Sequence, residues 1–218
     1  PPLSWGDAVV DLGWAGQLLA WIGLIWLLNL FNFMDGIDAI AGAEAVTVLA
    51  GMALVMGLTG ELGFILPLLI AAGAVAGFLL WNLPPARIFM GDVGSGYLGL
   101  LLGLLALLGT VHSPQTLWSW VIMLACFVTD ATVTLLRRLL RREAVHHAHR
   151  SHAYQRAARR WHSHGRVSGA VAVINLVWLL PWAAAVALGL THPLIGLIAA
   201  YGFVGALTVA LGAGSAAE

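Results

Sequence analysis

Long apolar stretches alternate with short polar breaks along the whole chain. Apolar runs of about 18–23 residues have the length of a membrane-crossing helix. About seven stretches approach that length: 14–30, 40–58, 63–81, 96–111, 117–136, 167–190 and 194–211. Several of the breaks are tight. Thr59-Gly60-Glu61, Ser113-Pro114 and His192-Pro193 carry turn chemistry between neighbouring helices. The pattern predicts an all-α fold: a polytopic membrane helical bundle forming a single domain over residues 1–218. No internal repeat or soluble domain interrupts it.

Composition strengthens this reading. Of 218 residues, 61% are hydrophobic and 9% charged, with a mean hydropathy of +0.92, whereas soluble domains carry about a quarter charged residues. The single cysteine, Cys126, lies in an apolar run, which excludes a disulfide framework and a Cys-based zinc site. The zero net charge hides an asymmetry. All ten basic residues are Arg, and nine of them fall between Arg137 and Arg166. No nucleic-acid partner is expected; the lipid bilayer is.

Seven spans put the breaks alternately on two sides. The loops around Asp35, around Asp92 and between Arg137 and Arg166 share one side, and the turns at Glu61, His112 and His192 share the other. Every Arg lies in or beside the first set, so the positive-inside rule turns these three polar loops to the cytoplasm. The N-terminal segment, with Asp7 and Asp11, is then outside and the C-terminus inside.

Three stretches on the predicted cytoplasmic side carry candidate chemistry. In Asn29-Leu-Phe-Asn32-Phe-Met-Asp35-Gly-Ile-Asp38 a polar residue recurs every third position, which on a helix keeps neighbours near one face. Helix capping accounts for one or two of these four, not for all. In NLPPARIFMGDVGSGYLG, from Asn82 to Gly99, Pro84-Pro85 stops a helix, Asp92 is the lone acid and Gly96 opens the next apolar run. A helix start beside a carboxylate suits a phosphate held through a divalent cation. The third stretch, HHAHRSHAYQRAARR, contains His147, His149, Arg150, His152 and Tyr154. Arg inside a His cluster favours an anion over a metal, and Tyr154 is a candidate to stack on a base or sugar. A basic amphipathic helix on the membrane is the plainer alternative. Arg137, Arg138, Arg141 and Arg142 fit lipid-headgroup contacts. Asp130, late in a span, is by its intramembrane position a functional candidate ranked below Asp35 and Asp92, with pairing to Arg137 or Arg138 as the plainer alternative.

Taken together, NLFNFMDGIDAIAG, NLPPARIFMGDVGSGYLG and HRSHAYQR followed by Gly165-Arg166-Val-Ser resemble the polyprenyl-phosphate N-acetylhexosamine-1-phosphate transferases, the superfamily of MraY-like and WecA-like enzymes. PPARIFMGD and the HRSHAYQ form look closest to its WbpL-like, O-antigen-initiating branch. The resemblance implies transfer of a sugar-1-phosphate from a UDP-N-acetylhexosamine to undecaprenyl phosphate in a bacterial inner membrane, with release of UMP and dependence on Mg²⁺, or Mn²⁺ in its place. It implies Asp92 as the main metal ligand and Asn32 beside the metal-bound diphosphate. Asp35, Asp92, His149 and His152 enter as catalytic residues, Asp92 and Asn32 as those that hold the metal, and Asn29, Asn32, Asp38, Arg150 and Tyr154 as substrate-binding ones. The superfamily also carries an adjacent Asp-Asp pair in an earlier cytoplasmic loop, and this sequence has none. With a first residue that is not Met, the expectation is a C-terminal part of a longer protein, its N-terminal helices missing, inactive by itself. The donor sugar and the oligomeric state, a homodimer included, stay open.

Other classes fit less of the chain. A transporter would hold Asp35, Asp92 and Asp130 near mid-membrane, whereas the alternation of sides puts them at one end. An intramembrane serine protease built on Ser95 lacks the Gly-x-Ser-Gly form, because Val93 occupies the first Gly position. A scaffold that only binds lipid leaves the Asn/Asp stripe unexplained.

Overall fold

The computed structural model describes residues 3–6, 8–143 and 150–215. Among these described residues six helical segments are long and apolar enough to cross a membrane: α1 (Gly13–Met34), α2 (Ile40–Leu58), α3 (Ile65–Asn82, led by a 3₁₀ turn at Leu62–Phe64), α4 (Gly91–His112), the stretch from His164 to Ala187, and α10 (Pro193–Ala210). A seventh crossing is bent by 62° into α5 (Thr116–Met123) and α6 (Ala125–Leu140). Between α6 and the His164 segment lies a short helix, α7 (Ala153–Trp161). The chain is a multi-pass membrane helical bundle. One small departure from the all-α expectation is a two-stranded antiparallel hairpin, β1 (Leu3–Trp5) with β2 (Ala8–Val10), pairing Leu3 with Val10.

Two boundaries differ from the hydropathy pattern for a physical reason. Helix α4 starts at Gly91 rather than near residue 96, so Asp92 lies in its first turn. A carboxylate there is favoured by the helix dipole, and Gly91 supplies the φ of +67° that the entry requires. The His164 segment is α8 (His164–Val173), a π-helical turn (Ile174–Leu179) and α9 (Leu180–Ala187). Pro181 has no N–H to donate and crowds the preceding turn, and the wider π turn accommodates it. Asn175 in that turn donates to Glu44 Oε2 (2.7 Å) and Thr47 Oγ1 (2.8 Å), so a buried polar cluster joins α2 to the π turn. Hydropathy averaging hides Glu44.

Helix α2 is the central element, with Ala45, Val48, Leu49, Met52, Val55 and Met56 fully buried. Helices α1 and α3 lie outside it and present Trp21, Ile22, Ile25, Leu66 and Ile70 outward, as lipid-facing surfaces do. Helix α1 packs against α4 through glycines. Gly96 meets Leu28, and a Cβ on Gly103 would come 2.7 Å from Leu24 Cδ2. At Gly99 a Cβ would overlap the backbone carbonyl of Leu27.

The two ends of the bundle differ. At one end Trp5 stacks edgewise on Trp118 (4.9 Å) and His192 (5.5 Å), Trp118 Nε1 donates to Ser4 O, and Phe64 lies against His112. At the other end the Asp35, Asp92 and Arg-rich segments meet. The C-terminal stretch joins them, with Gly214 N donating to Ser151 O and Arg137 to Ala213 O. The alternation of sides predicted from the sequence is therefore present.

Gly99→Ala is expected to lower stability in detergent by about 1–3 kcal/mol, because a backbone atom blocks the new methyl. Gly73→Ala, where nothing lies within 4 Å, is the control and should leave the melting temperature unchanged or higher. Thermal unfolding of both variants checks the α1–α4 contact.

Candidate functional site

The polar stripe of α1 ends where α4 begins. Asn32 Nδ2 approaches Ser95 Oγ (3.3 Å) and the Asp92 carbonyl (3.5 Å). Because Asn32 donates through its nitrogen, its Oδ1 is the atom on offer to a cation. Ser95 is buried, and its hydroxyl bonds back to Gly91 O and Asp92 O within its own helix. Asn29 turns back one helical turn to Ile25 O (2.7 Å). Asp92 is exposed at the mouth and Asp35 is half-buried. Burial, then the charge of Asp92, raise the Asp35 carboxyl from 3.8 to about 6. Among the described residues neither carboxylate has an ion-pair partner.

Asp38 knits three segments together. Its Oδ2 accepts from Ala86 N (3.2 Å), just after the cis Pro84-Pro85 bond. His164 Nδ1 lies 3.4 Å from both Asp38 Oδ2 and the Asp38 backbone nitrogen. Ser168 Oγ donates to Asp38 O (2.8 Å). Asn82, buried at the end of α3, accepts from Ala39 N (2.9 Å) and donates to Ile88 O (2.8 Å). One amide thus fastens the Asp38 turn to the loop leading to Asp92. Asn82, His164 and Ser168 were not singled out from the sequence. A polar side chain closing an apolar run is the signal that would have found Asn82.

The third stretch is only partly assembled as expected. His147 and His149 lie outside the described residues. Arg150 is exposed and its carbonyl accepts from Arg159 Nη2 (3.0 Å). His152 is buried, with Nδ1 3.3 Å from Asp130 Oδ1, and forms a reciprocal capping box with Gln155. Tyr154 is also buried. Its hydroxyl donates to Phe33 O (3.1 Å) and accepts from Gln155 Nε2 (3.1 Å). The Tyr154 ring therefore presents no face for a base or sugar, contrary to the stacking expected of it. The Asp130–Arg pairing also fails. Asp130 accepts from Ala153 N (2.8 Å), Tyr154 N (3.0 Å) and Thr134 Oγ1 (3.1 Å), while Arg138 pairs with Glu143. Backbone donors at the start of α7 are closer to hand than an Arg two turns along α6.

Asp35, Asp92, Asn32 and Asp38 thus meet at one end of the bundle, with Arg150 on the segment leading into α7. The described residues contain no group of three His, Cys, Asp or Glu side chains able to hold a metal. A divalent cation bound by Asp92 and Asp35 would complete its shell with Asn32, substrate oxygens and water, the arrangement Mg²⁺ commonly adopts. The donor set fits such an ion: hard oxygen atoms on two acids close enough for the charge of Asp92 to act on Asp35, neither with an ion-pair partner among the described residues.

The sequence model of glycosyl transferase family 4 matches residues 3–110. The chain is 36% identical over 150 residues to a probable undecaprenyl-phosphate N-acetylglucosaminyl 1-phosphate transferase of Bacillus subtilis (strain 168), covering 67% of this chain and 41% of that protein. It is 33% identical over 147 residues to a phospho-N-acetylmuramoyl-pentapeptide-transferase of Moorella thermoacetica, covering 63% and 44%. The enzyme of the same name from Geobacillus kaustophilus is 33% identical over 151 residues, covering 65% and 45%. The chain therefore spans less than half the length of these relatives.

The carboxylate pair yields a pH prediction. Asp35 should titrate with a midpoint near 6 in the metal-free protein. Its folded value is raised, so the native state is penalised progressively as pH climbs from about 4 through about 6, where the unfolded carboxyl ionises first. Asp92→Asn removes the second cause and should move the midpoint down while burial keeps it above the ordinary value. Carboxyl ¹³C NMR with Asp35→Asn for assignment checks this; an Asp35 midpoint unaffected by Asp92→Asn would refute the coupling.

Proposed function

Because the chain belongs to glycosyl transferase family 4, we propose that it transfers N-acetylhexosamine-1-phosphate from a UDP-sugar to undecaprenyl phosphate. UMP is released, and the lipid-diphosphate-linked sugar begins a cell-envelope polysaccharide, O antigen or a related glycan. The observation that carries this reading is the Asp35–Asp92 pair. Two acids close enough for the charge of one to raise the carboxyl of the other lie, without an ion-pair partner among the described residues, at the end of the bundle where Asn32 reaches the Asp92 backbone and the Arg-rich segment gathers.

The reaction joins an anionic lipid to a doubly charged diphosphate. An oxygen of the lipid phosphate forms a bond to the phosphorus that carries the sugar. The bond from that phosphorus to the bridging oxygen breaks, and UMP leaves with the bonding electrons. The nucleophile is already ionised, so the protein's task is positioning and charge neutralisation. Mg²⁺, with Mn²⁺ as its substitute, would act as Lewis acid and template when bound. Asp92, exposed in the first turn of α4, would hold it, with Asn32 Oδ1 and Asp35 beside it. Asp38 keeps the loop around Pro84-Pro85 in place through Ala86 N. Arg150 supplies a fixed cation for phosphate oxygens, and His149 would join it there.

The surroundings suit both substrates. The nucleotide sugar arrives from water at the Arg-rich end, which this reading assigns to the cytoplasmic face of the bacterial inner membrane. The acceptor keeps its tail in lipid. A small apolar groove of about 80 Å³, lined by residues such as Phe127, Ala157, Val171, Val204 and Leu207, runs beneath α7.

The test is UMP release from UDP-N-acetylhexosamines and undecaprenyl phosphate, with the protein expressed at full length in sealed membrane vesicles. Turnover is expected with Mg²⁺, to be abolished by EDTA, and to occur with externally added donor only in inside-out vesicles. Asp92→Asn should reduce kcat/KM by about a hundredfold or more, as loss of several kcal/mol of charge stabilisation implies, without loss of membrane insertion. EDTA-insensitive turnover, or wild-type turnover in Asp92→Asn, would overturn the assignment. Equal turnover from right-side-out vesicles would reverse the sidedness.

A further inference from the structure

We infer that Asp130 is a positioning residue for the proposed transfer, acting as the anchor that sets α7 against the end of α1. Asp130 is 4% exposed on α6, yet its carboxylate is fully committed to another element. Oδ1 accepts from Ala153 N (2.8 Å) and Oδ2 from Tyr154 N (3.0 Å). Oδ1 also lies 3.3 Å from His152 Nδ1 and accepts from Thr134 Oγ1 at 3.1 Å. The carboxylate thus satisfies the first open N–H groups of α7 from outside that helix and opposes the positive end of its dipole.

What the anchor holds is next to the site. The residue after its first backbone partner, Tyr154, sends its hydroxyl to Phe33 O at the end of α1, one position from Asn32 and two from Asp35. Gly36, on the other side of Asp35, comes so close to Tyr154 Oη that a Cβ there would overlap it. Helix α7 therefore braces the Asp35 turn, and its start fixes where Arg150 leaves the bundle. Release of the cap would free both together: the α7 end that carries Arg150 and the brace on Asp35. Replacing Asp130 by Asn puts an N–H₂ group where one of the two backbone N–H groups points and removes the charge, which is why a nearly isosteric change should suffice.

Only the kinetic arm of the test rests on the transferase reading. In inside-out vesicles, trypsin cleavage within α7, which contains Arg156, Arg159 and Arg160, reports its opening. Asp130→Asn should speed this cleavage roughly three- to thirtyfold, the range that loss of a helix cap implies. Thr134→Val removes a bond to the same carboxylate without touching α7 and should leave cleavage unchanged. In the UMP-release assay Asp130→Asn should raise KM for the nucleotide sugar and lower kcat, while Thr134→Val should change neither beyond about twofold. Tyr154→Phe, which keeps the cap and cuts the tie to Phe33, serves if Asp130→Asn fails to insert; it should lower kcat, with only the modest loss of thermal stability that one buried hydroxyl implies. Unchanged cleavage in Asp130→Asn would overturn the anchor. Faster cleavage with unchanged kinetics would overturn the positioning role. A wild-type protein without turnover would refute the transferase reading, and the cleavage comparison would still decide the anchor.

Discussion

A polar group at the end of an apolar bundle must find its partner within the protein, because lipid supplies none. That constraint organises the Arg-rich end of this molecule. Four segments distant in sequence arrive there with their own unsatisfied groups, and each is closed by a side chain from another. Asn82 closes the Asp38 turn and the Ile88 carbonyl, Asp38 receives Ala86 and Ser168, and Asn32 reaches Ser95. Asp130 receives the start of α7. At this end Asp38, Asp130 and Glu143 have ion-pair partners, whereas Asp35 and Asp92, exposed in part and wholly, have none among the described residues. A site emerges where internal satisfaction stops.

Hydropathy carried most of the architecture. The observed α2 coincides with the predicted span at residues 40–58, since burial on all sides leaves an unbroken apolar run. The alternation of sides was also legible, because Arg is confined to one set of loops. What hydropathy could not resolve was the direction of individual polar groups. Asp130 was expected to meet an Arg, but backbone N–H groups of α7 reach it first. Tyr154 was expected to face a ligand, but its hydroxyl is taken by Phe33 O. Glu44 lay hidden in an apolar average, its partner Asn175 being 131 residues away. The hairpin at Leu3–Val10 is too short to stand out against a helical background.

Of the candidate site, the part written as local motif was readable: Asn32, Asp35 and Asp38 share one helix end, and Asp92 follows a Pro-Pro corner. The part made by long-range closure was not: Asn82 accepts from Ala39 N, 43 residues away, and His164 lies against Asp38, 126 residues away. The glycines of α4 show the same division. Gly96 was expected to open the apolar run, and in the fold Gly96, Gly99 and Gly103 lie within a helix that already begins at Gly91, where they let α1 approach. Asp92 keeps a helix start beside it, but the start comes earlier than the glycines suggested.

The central proposal is that Asp35 and Asp92 together hold a divalent cation, while Asp38, Asp130 and Glu143 are each held by a partner. Paramagnetic broadening by Mn²⁺ of carboxyl ¹³C signals, with the protein labelled at Asp and Glu in nanodiscs, measures this directly. Asp35 and Asp92 should broaden first and together, Mg²⁺ should reverse the effect by competition, and Asp130 and Glu61 should broaden only at much higher Mn²⁺. Broadening centred on Asp130 or Glu61, or none at Asp92, would contradict the claim.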